Sequence, residues 1–230
     1  WLLQRQGLPS ATAPINGSGP RLAANTPLPP GNGNAPAAGA CTPATEAAAA
    51  RRAAASASRS AYVPLPGSWV ASAPDLRARF FGMPWWDELP APSDGTRYSV
   101  GTVPDGADDR LDIVRVQGRG VPATATVWQA EYDSYTHQSS GGSSGPLNPA
   151  TVASAAVTGR PRPQQAAGYD GYIGQFHFTE GDGTRLDATM WVGQVGCDRV
   201  VMVFAGLPTR DRQIDQAVAQ VLATIDFNAR

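Results

Sequence analysis

A proline every few residues, from Pro9 through Pro14, Pro20, Pro27, Pro29, Pro30 and Pro36 to Pro43, denies regular structure to the first 45 residues of this chain. Each proline removes a backbone donor and fixes its own φ. Glycine and asparagine fill the gaps, and aromatic and β-branched residues are concentrated after Tyr62. A segment of this kind cannot bury enough apolar surface to fold alone. The 230 residues therefore divide three ways. Residues 1–45 read as an extended arm, 46–60 as an Ala/Arg-rich helix or linker, and 61–230 as one domain of ordinary size.

Charge follows the same division. Residues 1–60 carry Arg5, Arg21, Arg51, Arg52 and Arg59 against Glu46 alone, a local +4 within a chain of net charge -1, which leaves -5 for the remainder. Lysine is absent, so every basic side chain is a guanidinium, able to fork onto carboxylates or phosphates and to stack on rings. Thr42 and Pro43 read as the cap and first position of a helix over Ala44 to Ser58, which has little apolar anchoring and needs something to lean on. Trp1, Arg5, Arg21, Arg51 and Arg52 are accordingly the arm residues expected to meet a partner. Nucleic acid is not expected, because the body is acidic and the arginines are spread out. No stretch approaches the roughly 20 apolar residues of a bilayer span. Trp1-Leu2-Leu3 is compatible with the last turn of a removed signal or anchor, which favours the extracytoplasmic side. Cys41 and Cys197 either pair, pinning arm to body, or leave a free buried thiol at Cys197, the reading the pattern favours.

The body alternates strand and turn signals. Apolar runs over Leu76 to Gly82, Arg97 to Val103, Leu111 to Val116, Thr151 to Thr158, Tyr169 to Thr179, Arg185 to Val195 and Arg199 to Gly206 predict strands. Gly181-Asp182-Gly183-Thr184 and Gly196-Cys197-Asp198 separate the last three at hairpin spacing, so these should be antiparallel neighbours. Helical periodicity puts Trp128, Tyr132 and Tyr135 on one face of Val127 to His137. It puts Ile214, Ala217, Val218, Val221, Leu222 and Ile225 on one face of Arg210 to Asp226. Gln138 to Pro149, rich in Ser and Gly, reads as a loop. The fold class is α+β: an antiparallel sheet covered by helices, an α/β/α sandwich, with a long N-terminal arm.

Catalytic chemistry finds little foothold. His137 and His177 are the two side chains with an ordinary pKa near neutrality, and neither sits in a nucleophile-elbow pattern. His177, between Phe176 and Phe178, reads as a strand residue on the opposite face from both, and His137 as a helix-terminal cation. The cysteines and histidines lack the paired spacings of a zinc site. Asp105, Asp108, Asp109 and Asp112 lack the alternation of a calcium loop and read as a solvated acidic loop. No phosphate-binding or dinucleotide glycine pattern follows a strand. The expectation is a protein without enzymatic activity, metal or cofactor.

Phe80-Phe81-Gly82-Met83-Pro84-Trp85-Trp86 stands apart. Neighbouring side chains diverge in an extended chain, so Trp85 and Trp86 are not expected to share one core, and one of them is a candidate anchor in a protein partner or at the level of lipid headgroups. The alternative is that both tuck under the loop and cap the sandwich.

Leu65-Pro66-Gly67-Ser68-Trp69, Phe80-Phe81-Gly82-Met83-Pro84, the aromatic helix, Val157-Thr158-Gly159-Arg160-Pro161, the hairpins from Tyr169 to Gly206 and the final Ile225-Asp226-Phe227 occur in an order that resembles the PsbP-like family. The resemblance covers about residues 62–228 and leaves the arm, Trp85 to Ser99 and Asp105 to Asp112 without counterparts. The family's namesake is an extrinsic photosystem subunit, and its relatives include bacterial lipoproteins and a Ran-binding nuclear import factor. What the resemblance implies is a binding scaffold at or near a membrane. The expectation is an accessory subunit, extrinsic to the membrane, that fastens integral membrane protein subunits of a large complex such as a photosynthetic reaction centre with its antenna. The rival is a periplasmic carrier domain tethered by its arm.

Overall fold

The computed structural model describes residues 62–89, 97–102, 109–118, 120, 122–137 and 152–227, together with Ala47 and Arg51. The chain divides into units 1–37 and 38–230, and every described residue belongs to the second. Trp1, Arg5, Arg21, Arg52, Cys41, Asp105 and Asp108 therefore lie outside the described residues. So does most of the predicted helix over Ala44 to Ser58, of which Ala47 and Arg51 are helical and exposed.

Strand β1 (Trp69–Ala73) pairs with β2 (Ala78–Gly82) in a two-stranded hairpin. The main sheet has eight strands, all antiparallel. Its order is β3 (Asp87–Glu88), β4 (Arg97–Gly101), β5 (Asp109–Val116), β10 (Asp198–Gly206), β9 (Arg185–Val195), β8 (Gly171–Glu180) and β6 (Val152–Val157), with β7 (Arg162–Pro163) also against β8. Helix α1 (Ala125–His137) lies against β6, β8 and β9, and α2 (Asp211–Thr224) against β2, β9 and β10. The three C-terminal strands are antiparallel neighbours, as their hairpin spacing predicts. Gly196, at φ 59, takes the first central position of the two-residue β9–β10 turn, where an L side chain is strained.

Strand β10 explains the layering. Val200, Met202 and Phe204 point to one face and Val201, Val203 and Ala205 to the other, and all six are buried. A continuous apolar run can sit nowhere but between two covered faces. The first face carries Leu111, Ile113, Trp191, the β1–β2 hairpin and the α2 residues Ala217, Val221 and Leu222. The second carries Phe176, Phe178 and Met190 under Trp128, Tyr132 and Tyr135 of α1, which are core residues. Trp191 is fully buried between two glycines: a Cβ on Gly171 or Gly193 would lie 2.3 or 2.0 Å from its indole. Its N–H donates to the Gln164 carbonyl at 2.8 Å.

Of the boundaries that differ from the sequence reading, three have a plain local reason. The strand predicted from Leu76 begins at Ala78, because Pro74 opens a single tight helical turn that Arg77 closes at φ 51, donating to the Pro74 carbonyl at 2.9 Å. The helix predicted through Asp226 ends at Thr224. Beyond it Asp226 exchanges backbone hydrogen bonds with Arg79 of β2 at 2.7 and 2.9 Å, stitching the C-terminal segment to the hairpin. Strand β5 begins at Asp109, inside what the sequence reading assigned to a solvated acidic loop.

Candidate interaction surface

The tryptophan pair is built on a turn. Trp86 N–H donates to the Met83 carbonyl at 3.1 Å, closing Met83-Pro84-Trp85-Trp86 with proline at the second position, which suits its fixed φ. A turn rotates successive side chains toward one another, and both indoles here reach one carboxylate. Trp85 Nε1 donates to Asp109 Oδ2 at 2.9 Å and Trp86 Nε1 to Asp109 Oδ1 at 2.8 Å. Trp69 Nε1 joins from β1, donating to the Met83 carbonyl at 3.1 Å, and Gly82 makes room for that ring, since a Cβ there would meet it at 3.0 Å. Asp109 is buried, its backbone tied to Thr102 just past the end of β4.

This placement corrects two expectations. Trp86, 3% exposed, is part of the core and not a partner anchor, because the turn curls it back onto Asp109. Trp85 is half-buried and packs against the same core. Asp109 and Asp112 are not solvated: both are 1% exposed and both are hydrogen-bonded within the sheet.

Asp112 organises a second polar cluster, on the α1 face of β4 and β5. Its Oδ1 accepts from Arg97 Nη2 and from Ser99 Oγ, both at 2.6 Å, and Arg110 approaches its Oδ2 at 3.5 Å. Arg110 also faces Glu180 at 3.9 Å. Burial works against the Arg110 charge, but Tyr135, Asp112 and Glu180 outweigh it and raise its pKa. Burial likewise pushes the Tyr135 phenol up, against the pull of Arg110. On the other face, the Tyr98 phenol is raised to about 12, by burial first and then by Glu88.

Two further fasteners escaped the sequence reading. Gln220, fully buried on α2, accepts from Leu65 N–H at 2.9 Å and donates to Ser68 Oγ and to the carbonyls of Phe81 and Gly82 at 3.0 to 3.1 Å. It thus binds the Leu65–Trp69 opening and β2 to the last helix. Arg115 donates to Asp198 at 2.7 Å, to the Leu76 carbonyl at 2.7 Å and to the Phe227 carbonyl at 3.3 Å. The apolar face predicted for α2 leaves Gln220 out, at its margin beside Ala217. Nothing in the pattern distinguishes a buried glutamine from an exposed one.

Arg51, the one described arm-side candidate, donates from Nε to the Ala47 carbonyl one helical turn back at 3.2 Å and is otherwise open to solvent. Cys197 is disulfide-bonded, which overturns the free-thiol reading, and the chain contains one other cysteine, Cys41. His177 is partly buried on β8 opposite Asp187 and Ala156. Among the described residues no group of three or more His, Cys, Asp or Glu could hold a metal ion, and no helix is long and apolar enough to cross a membrane.

No protein-family model matches the sequence, and no curated protein matches it. Solved structures align with it at low identity. Cyanobacterial PsbP (CyanoP) from Synechocystis sp. PCC 6803 is 12% identical, with a TM-score of 0.47, over 71% of this chain and 94% of that one. The Ran-binding protein Mog1p of Saccharomyces cerevisiae is 7% identical, with a TM-score of 0.45, over 70% and 96%. LpqN, involved in cell envelope biogenesis of Mycobacterium tuberculosis, is 13% identical, with a TM-score of 0.43, over 64% and 81%. These neighbours have PsbP/Mog1-like folds, and the likeness to them is one of backbone arrangement alone.

Proposed function

We propose that this chain is a non-enzymatic accessory subunit, extrinsic to the membrane, that fastens components of a large membrane protein assembly. The observation that carries the reading is the use to which the domain puts its buried polar groups. Asp109 holds two indoles, Asp112 holds Arg97, Ser99 and Arg110, and Gln220 and Arg115 tie the chain's opening and closing segments to the core. Each of these groups is engaged in fixing the fold. Beside this self-contained domain stand about sixty residues of proline, glycine, alanine and arginine, a composition that gains order only against a partner.

The disulfide at Cys197 supports an oxidising, extracytoplasmic setting, where such bonds persist. The partners are integral membrane protein subunits, with lipid headgroups at the margin. The family resemblance suggests a photosynthetic reaction-centre and antenna complex, in which this chain touches pigment-bearing proteins and binds no pigment itself. Trp85, half-open and held by Asp109, is the aromatic anchor of the domain. A photoreactive phenylalanine analogue at position 85, irradiated in native membranes, should cross-link to an integral membrane subunit. Cross-links confined to small soluble proteins would count against the reading.

One observation favours the rival, a periplasmic carrier domain. A groove of about 420 Å³ lies between α2 and the Gln164–Gly168 segment, with Ile173, Val218 and Leu222 in its lining and Arg162 and Asp215 among its polar residues. A small apolar ligand that co-purifies with the domain, and is lost on substitution of Val218 by Arg, would establish that reading instead.

A further inference from the structure

The two edges of the main sheet are treated differently. Strand β3, at one edge, is two residues long and consists of Asp87 and Glu88, both exposed, which repel an incoming strand. Strand β6, at the other, reads Val152-Ala153-Ser154-Ala155-Ala156-Val157, with neither a charge nor a proline, and no described residue pairs with its outer side. Val157, 37% exposed, is one of three exposed large apolar residues among those described. Unguarded uncharged edges of this kind are sites of strand addition.

We infer that this edge joins a second copy of the chain, β6 against β6 in antiparallel register about a twofold axis at Ala156, which continues the sheet from one protomer into the next. The register follows from local geometry. A bulge lies between Val152 and Ser154, so the regular ladder begins at Ser154. Thr158 N–H donates inward to the Gln175 carbonyl at 2.9 Å. Backbone groups alternate along a strand, so those of Ala155 and Val157 point outward.

A twofold at Ala156 sets Ala155 opposite Val157 of the second copy, and these two residues exchange backbone hydrogen bonds. The same register pairs small with large on the α1 face, and Ser154 with Thr158 on the other, where hydroxyls hydrogen-bond across strands. A strand without charge meets itself without repulsion, as a self-complementary twofold contact requires. The arm is a poor competitor for this edge, since its prolines lack the donors a ladder needs. Five residues of strand bury far less than the roughly 1,200 Å² of a stable interface, so the dimer is weak and concentration-dependent.

Sedimentation of the full chain from micromolar to millimolar concentration tests this. The expected result is a monomer–dimer equilibrium. Ala155→Pro, which removes an outward N–H and leaves the β6–β8 ladder intact, should weaken it at least tenfold with the near-ultraviolet circular dichroism unchanged. Ala156→Cys should form a covalent dimer on mild oxidation, because directly opposite residues of a non-hydrogen-bonded pair lie about 4.5 Å apart, within disulfide reach. A chain that stays monomeric throughout, a dimer indifferent to Ala155→Pro, or an Ala156→Cys variant that does not cross-link would each overturn the assignment.

Discussion

Asp109 shows how much one side chain can settle. A carboxylate has two acceptor oxygens, and each takes one indole N–H, so Trp85 and Trp86 are fixed together by one residue on the first position of β5. An amide at that position keeps one acceptor and turns a donor toward the other indole. Asp109→Asn is therefore expected to lower unfolding stability by about 1.5–3 kcal/mol, the range for hydrogen bonds to charged groups. Urea denaturation measures it, and an unchanged midpoint would mean that the clasp contributes nothing. Tyr98 gives a pH signature. Its ordinary pKa of 10.0 rises to about 12 in the fold, so the folded state holds its proton more tightly than the unfolded one. That stability is fully present below pH 10 and is lost as pH rises toward 12. Tyr98→Phe should flatten the decline of melting temperature across that interval, and an identical decline in both proteins would place its cause elsewhere.

Among the elements, the ones with strong internal patterns were legible. Strands β8, β9 and β10 announce themselves by apolar runs with glycine turns between them, and α1 and α2 by aromatic and aliphatic spacing. What escaped depends on contacts distant in sequence. Two-residue strands such as β3 and β7 exist because a longer strand lies beside them, and no local propensity encodes that. Acidic residues in Asp109–Val116 read as solvent-facing until Arg97, Ser99 and the indoles are brought up to them. At Met83–Trp86 the alternative, in which both indoles tuck in, is nearer the structure, because divergence of neighbouring side chains holds for extended chain and fails in a turn. The two tryptophans of that turn should respond unequally to truncation. Trp86→Ala empties a core position and should cost about 3–5 kcal/mol. Trp85→Ala, at a half-open site, should cost clearly less and act instead on assembly with the partner. Equal losses of melting temperature in the two variants would reject the distinction.

At the scale of the molecule, labour divides between a domain in which Asp109, Gln220 and Arg115 tie its own segments together and an arm whose composition calls for an outside surface. The domain binds its own ends through Gln220, Arg115 and the Asp226–Arg79 bridge, and none of these contacts involves a residue before Tyr62. Removing residues 1–60, together with Cys197→Ser so that no thiol is left unpaired, should leave the domain folded while changing what it travels with.

The most direct test is gentle solubilisation of native membranes, size fractionation, and detection of the full chain beside a variant without residues 1–60. Migration of the full chain with a large complex, and of the folded truncated chain as a small species, is the predicted result. If both run as small species the accessory-subunit reading fails, and if both remain with the complex the arm is no clasp and the domain alone does the docking.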